Sequence, residues 1–238
     1  MKKHTIVEGS NGFTAYVNGI KWLLGHYRYV FLLFIPFVVG FAFFFFWTGY
    51  FFSHQDTVLG FAMFAKPDAW YWVPLYYLAK LFIYLGIVIL LALSSIMLTS
   101  VVSAPIYEIV SAAVERELNN GHVGEISFAK SVLLVKEEFK KAIFILFVSI
   151  IILVIPFLNI FSIFTSAFFL GWEFYDFPMA RRGWSFGKRL RYVAKDWIKV
   201  TTFGLWLMIP FLQIVMMPLA VPGGTILCLS RLKKDGDI

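Results

Sequence analysis

Two hexapeptides, Ile155-Pro156-Phe157-Leu158-Asn159-Ile160 and Ile209-Pro210-Phe211-Leu212-Gln213-Ile214, differ only in their amide residue and lie 54 positions apart. Each sets a proline inside an apolar run, where the ring removes a backbone donor and frees a carbonyl, that of Ile152 or of Trp206. In hydrocarbon such a break must face protein or water. Asn159 and Gln213 either supply the missing hydrogen bonds or, with Pro156 and Pro210, line a solute path. Short apolar segments interrupted by proline at matching positions of a repeat are a sequence pointer to a transport site. A helix restarting at each bend would aim its positive end at the membrane centre and attract anions, while the preceding arm's C-terminus opposes it.

Other groups carry two readings each. Arg28 is a positive-inside anchor at a helix start or an anion ligand. Glu115 and Arg116, with Glu117, form a solvated face, a subunit contact or a gating salt bridge. Asp176, before Phe177-Pro178, is a turn or helix cap, or a proton carrier. Glu137 and Lys141 have the spacing of a favourable helical pair. The four histidines, His4, His26, His54 and His122, fall in different segments and suggest no metal site, and the single cysteine, Cys228, excludes a disulfide framework. Gly223-Gly224-Thr225 lacks the lysine and spacing of a nucleotide-binding loop. There is no Gly-x-Ser-x-Gly turn and no His-Glu-x-x-His helix, so an enzyme is disfavoured and no cofactor is expected.

The elements that must position these groups belong to a membrane. The chain of 238 residues is 60% hydrophobic and 28 of its residues are Phe, more apolar surface than a soluble domain of this length can bury. Continuous rather than alternating apolar runs favour helices over a barrel. The expected organisation is a single membrane domain over residues 1–238. It has a short interfacial helix in residues 12–22, with Phe13, Tyr16, Val17 and Ile20 at helical spacing. Spanning helices follow over 29–52 and 71–102, with Lys80 near the start of the second, then cytoplasmic or interfacial helices over 103–141. Ser103-Ala104-Pro105 marks a kink or boundary, and Asn119-Asn120-Gly121 a helix stop. A first hairpin covers 142–172, a basic cytoplasmic loop 173–199 and a second hairpin 200–230. The arms before Pro156 and Pro210 have 14 and 10 uncharged residues. At 1.5 Å per residue they reach about 15–21 Å, short of the ~30 Å hydrocarbon layer, so the hairpins penetrate only partly or tilt strongly.

All but Lys66 and Lys80 of the 21 Lys and Arg residues fall on one side when each hairpin returns to the face it entered. That asymmetry places both termini in the cytoplasm. It also explains the formal charge of +7 without nucleic acid. Half-depth hairpins leave the opposite leaflet unfilled, and a second copy of the chain is the simplest cover. A homo-oligomer with a dimeric unit in the lipid bilayer is therefore expected.

Several stretches together resemble the CysZ-type sulfate permeases and the related etoposide-induced membrane proteins. They are Ser103-Ala104-Pro105 followed by Glu115-Arg116-Glu117-Leu118, then Asp176-Phe177-Pro178 with Phe186 and Lys188 downstream. The last is Met208-Ile209-Pro210-Phe211-Leu212 running into Met217-Pro218-Leu219-Ala220-Val221. The resemblance implies an all-α integral protein of the inner (cytoplasmic) membrane, with two long transmembrane helices, two Pro-broken, partly penetrating helical hairpins and oligomeric assembly. It implies uptake of sulfate or a similar small oxyanion in support of cysteine biosynthesis. The alternative is a non-transporting membrane scaffold or lipid-interacting protein, as the eukaryotic relatives suggest. In that family the anion site is a glycine followed closely by two adjacent arginines at the start of the first spanning helix. Here the stretch reads Leu24-Gly25-His26-Tyr27-Arg28-Tyr29, so Gly25, His26 and Arg28 are the implied substrate-binding residues. Tyr27 stands where the first arginine would be and removes one charge-assisted partner, worth about 1.5–3 kcal/mol.

Overall fold

The computed structural model describes residues 11–62, 66, 68–123, 128–209 and 213–238. Among them the chain is helical almost throughout and contains no strand. In chain order the helices are α1 (Gly12–Gly25), α2 (Tyr27–Ser53), α3 (Gln55–Ala62), α4 (Val73–Leu118), α5 (Phe128–Val154), α6 (Pro156–Asn159), α7 (Ser162–Tyr175), α8 (Phe177–Arg181), α9 (Phe186–Lys195), α10 (Trp197–Leu205) and α11 (Gln213–Asp235). Single 3-10 turns, Trp70–Trp72 and Trp206–Met208, precede α4 and follow α10.

Three helical stretches are long and apolar enough to cross a membrane: Tyr27–Ser53, Trp70–Leu118 and Val215–Asp235. The first two include the spans expected from sequence, and the third adds most of α11 as a candidate. They differ in surroundings. Only 6% of the most apolar part of the second is buried inside the protein, against 67% for the third.

The chain packs as two compact units, one formed by residues 1–33 and 106–238, the other by residues 34–105. Pro105 ends the smaller unit, yet the helix does not break there, since α4 runs on to Leu118 with the proline inside it. Within the smaller unit the contact is made through small and polar residues. The Ser95 hydroxyl donates to the Gly40 carbonyl at 2.6 Å, and the Tyr84 hydroxyl donates to Gln55 Oε1 at 2.6 Å. Phe41, Phe45, Leu81, Leu85 and Leu93 are all exposed, as lipid-facing positions are.

In the larger unit four helices, α1, α7, α10 and α11, surround a core that includes Trp172, Tyr175, Phe203, Ile226 and Leu227. Backbone meets backbone where side chains are absent. A Cβ on Gly204 of α10 would strike the Ala167 carbonyl of α7, and one on Gly19 of α1 would strike the backbone of Gly223 in α11. Helices that gain little from apolar burial in lipid associate through such small-residue crossings. The pair Gly223-Gly224, which superficially suggested a phosphate loop, thus sits inside a helix. The buried face of α1 runs through Gly12, Ala15, Tyr16, Gly19, Trp22 and Leu23, while Phe13 is half exposed. It runs along the small residues Gly12, Ala15 and Gly19 together with Trp22 and Leu23, and of the expected stripe only Tyr16 is fully inside. Asn11 and Thr14 close its N-terminus as a reciprocal capping box, each backbone N–H donating to the other's side chain at 2.8 Å.

Helix stops appear where the residue types demand them. Asn120 and Gly121 take φ of 51° and 89°, and the Gly121 N–H donates to the Arg116 carbonyl at 2.8 Å, the long closing bond of a Schellman cap on α4. At the first proline break α5 ends at Val154, Ile155 turns extended (φ −97°, ψ 105°) and Pro156 begins α6. Ile209 is extended likewise (φ −68°, ψ 115°). A residue before proline is driven out of the helical region, so both repeats break for the same steric reason. Pro210 lies outside the described residues, and α11 restarts at Gln213.

Replacing Gly204 with Val should cost about 1–3 kcal/mol by overpacking, read as a fall in thermal stability of the detergent-purified protein. Gly49→Val, where nothing lies within 4 Å of an added Cβ, should leave it unchanged. Equal losses would refute the crossing argument.

Candidate anion site and buried charge clusters

Gly25 ends α1, His26 forms its C-cap and Tyr27 opens α2. Gly25 is exposed, with nothing within 4 Å of an added Cβ. Arg28 is exposed in the first turn of a helix long and apolar enough to cross a membrane. Its guanidinium lies 5.0 Å from the Tyr29 ring centroid, with Nη2 donating to the Tyr29 hydroxyl at 3.4 Å, and no carboxylate pairs with it among the described residues. A helix N-terminus with one unpaired guanidinium suits an oxyanion.

His26 is held from two sides. Its Nδ1 is 2.9 Å from the Trp22 carbonyl and its Nε2 is 3.4 Å from Glu117 Oε2, while its ring stacks on Trp22 at 4.4 Å. Glu117 also accepts the Trp22 indole N–H at 2.6 Å. The carboxylate end of α4 thereby fixes the corner between α1 and α2. Tyr27, at the position of the missing arginine, is exposed.

Glu115 and Asp176 are not solvated. Glu115 is fully buried; its Oε2 accepts from both Nε and Nη2 of Arg181, at 3.1 and 2.8 Å, and its Oε1 accepts from Arg182. Arg181 also donates to Ser111 Oγ, itself hydrogen-bonded to Thr225 of α11 at 2.8 Å, and pairs with Glu108. This network joins the end of α4 to α8 and α11. Arg116 is exposed and takes no part in it.

Asp176, 3% exposed, lies between α7 and α8 but makes no side-chain cap. Its Oδ2 instead accepts from Lys141 of α5 at 2.9 Å and from Arg189 of α9 at 2.6 Å. Lys141 also meets Glu173 at 2.8 Å. Burial works against its ammonium, but the charges of Asp176, Glu173 and Glu138 outweigh that and hold its pKa above the ordinary lysine value. The expected Glu137–Lys141 pair is therefore absent. Glu137 pairs with Lys140 at 2.6 Å and accepts the Phe186 N–H at 2.6 Å, capping α9, and both contacts hold its pKa below the usual range. A third buried carboxylate, Asp196, takes the Tyr175 hydroxyl at 3.1 Å.

Asn159 is exposed and makes no side-chain hydrogen bond among the described residues, so it does not stitch its bend. The backbone does, through Leu158 N–H to the Ile155 carbonyl and Phe161 N–H to the Leu158 carbonyl, both at 2.9 Å. Arg28 is thus linked to neither buried cluster, and the sequence-derived candidates separate into a surface corner, two buried networks and a bend. Arg181, Arg182, Arg189 and Lys141 are the functional-looking groups that the sequence concealed, because cations in a basic loop pass for topology signals.

Arg181→Ala would leave Glu115 buried beside a single remaining cation and should destabilise by about 3–5 kcal/mol. Lys140→Ala, at an exposed pair, should change stability by about 0.5 kcal/mol or less. Thermal unfolding of both variants checks this, and equal effects would remove the structural role assigned to Glu115.

A search of curated proteins found no match for the chain. The model of one protein family, described as sulfate transporter CysZ/Etoposide-induced protein 2.4, matches residues 15–218. That match takes in the corner at His26, the buried network of Asp176, the Glu115 network apart from Thr225, and the first proline break. The chain is accordingly a member of the family of the sulfate transporter CysZ and the etoposide-induced protein 2.4.

Proposed function

We propose that this protein moves sulfate or a similar small oxyanion across the cell's inner membrane, supplying sulfur assimilation. The observation that carries the reading is Arg28, an exposed guanidinium with no carboxylate partner among the described residues, in the first turn of a membrane-crossing helix of a transporter-family chain. Gly25 leaves room beside it, and His26, its two ring nitrogens turned to the Trp22 carbonyl and Glu117, shapes the same corner. In this reading α2 and the N-terminal part of α4 are the two long spans. The apolar arm of α5 with α7, and α10 with α11, are hairpins that enter part of the bilayer and return. Asn159, with Pro156, and Gln213, with Pro210, then border the route at the bends. Exposure of Asn159 in an otherwise apolar bend supports this. Both termini lie in the cytoplasm, and a dimeric unit of the same chain covers the half-depth bends. The protein carries out no catalysis.

Tyr27 supports a second reading, a membrane scaffold without transport, because a dianion loses a partner there. One assay separates the two. Proteoliposomes should take up radiolabelled sulfate in a protein-dependent manner. Arg28→Ala should lower uptake about tenfold or more, the loss of one charge-assisted bond. Tyr27→Arg should raise affinity by a similar factor. No flux of any oxyanion would leave the scaffold. Light scattering should report at least a dimer in detergent, and a strictly monomeric species would overturn the covered-bend arrangement.

A further inference from the structure

Five buried side-chain polar atoms lack a hydrogen-bond partner among the described residues, and four of them belong to three neighbouring side chains: Trp172 Nε1, Asp176 Oδ1, and Arg189 Nε and Nη2. Trp172 and Asp176 are one turn apart on α7 and share a face. The Trp172 ring stacks on Phe186 at 6.1 Å, and Phe186 is one turn before Arg189 on α9. Lys141 ties the group together, 5.4 Å from the Trp172 ring centroid and 2.9 Å from Asp176. Leaving such a group unpaired in the interior is costly, so four in one place point to a ligand.

We propose that this cluster is a second anion site, selective for a small oxyanion that carries its own proton and a single charge, the chemistry shared by hydrogencarbonate and dihydrogen phosphate. Three features define that ligand. Arg189 is fully buried and uses only Nη1, which donates to Asp176 and Glu138 at 2.6 Å each. Its Nε and Nη2 form a parallel donor pair of the kind that grips an anion's oxygens, the same edge that Arg181 turns to a single oxygen of Glu115. The buried charges, Lys141 and Arg189 against Asp176, leave at most one positive charge over, since Glu173 and Glu138, 59% and 44% exposed, pair with Lys141 at 2.8 Å and Arg189 at 2.6 Å and offset part of it. A monoanion balances that excess and a dianion exceeds it. Asp176 Oδ1 is an acceptor and calls for a donor, which a protonated oxyanion has and sulfate lacks. Trp172 Nε1–H is the third donor to the ligand oxygens. The site involves none of Gly25, His26 and Arg28, so it stands or falls separately from the sulfate reading.

Isothermal titration calorimetry on the detergent-purified full chain tests it. The Arg28→Ala background is used, which silences the surface corner. Hydrogencarbonate and phosphate are titrated in separate arms at neutral pH, with sulfate and chloride at matched ionic strength. At least one proton-bearing ion should bind saturably, and sulfate about tenfold or more weakly. Whichever arm binds identifies the source. Arg189→Lys keeps the charge but loses the fork and should weaken binding about tenfold or more. Trp172→Phe, which keeps the ring and removes the N–H, should weaken it several-fold and decides the matter if Arg189→Lys does not fold. Asp176→Asn replaces the orphan acceptor with a donor and should shift preference towards sulfate. The proposal is overturned by no saturable binding of either ion, which would mean ordered water only. It is equally overturned by equal affinity for sulfate, or by binding that neither Arg189→Lys nor Trp172→Phe changes.

Discussion

The larger unit depends on keeping charges inside a protein built for lipid. Glu115 has no exposure at all, and a buried carboxylate is tolerable only when cations and donors complete its shell. Arg181 and Arg182 do so from α8, a five-residue helix whose position makes sense chiefly as the carrier of those two guanidinium groups. Ser111 and Thr225 extend the shell to α11. The end of α4, a helix of 46 residues, is thereby attached at a polar point beside the apolar face of Val110, Val114 and Leu118 that it buries in the core. Lys233 of α11 adds a donor to the Leu118 carbonyl at 2.9 Å, where the helix dipole is negative.

The polar clusters and the glycine crossings solve different problems. Glycines let α1, α7, α10 and α11 approach until backbones touch, which supplies dispersion contacts but little direction. The ion pairs supply direction, because Arg181 turns its Nε–Nη2 edge to one oxygen of Glu115 while Arg182 takes the other. Tyr175 belongs to both systems. Burial pushes its phenol well above the ordinary tyrosine value, so it remains a donor to Asp196 while its ring fills the core.

Much of the fold was legible because its determinants are local. Continuous apolar runs marked the helices, Asn119-Asn120-Gly121 stopped one of them, and pre-proline sterics set Ile155 and Ile209 in matching extended conformations. What escaped was every feature set by long-range packing. Pro105 lies within a helix that continues past it, although local sequence marks a boundary there. The inner face of α1 could not be seen from hydrophobicity, since glycine and alanine carry almost no hydropathy signal. Lys141 was assigned to Glu137 by spacing alone, while the fold offered it the buried Asp176. The corner at Gly25, His26 and Arg28 came from resemblance, and its partners Trp22 and Glu117 are 95 residues apart, beyond any local rule.

One feature of the first hairpin bears on its mechanics. Lys141, at the charged end of the apolar arm of α5, is clamped to Asp176 at the far end of α7, and Phe144 packs there against Phe169 and Trp172. At the other extremity Phe157, Ile160 and Phe161 are exposed, and Asn159 makes no side-chain bond among the described residues. Between these ends α7 is held by the close backbone approaches of Ala167 to Gly204 and of Gly171 to Val200, so the part of the hairpin left without such support is the bend beyond them.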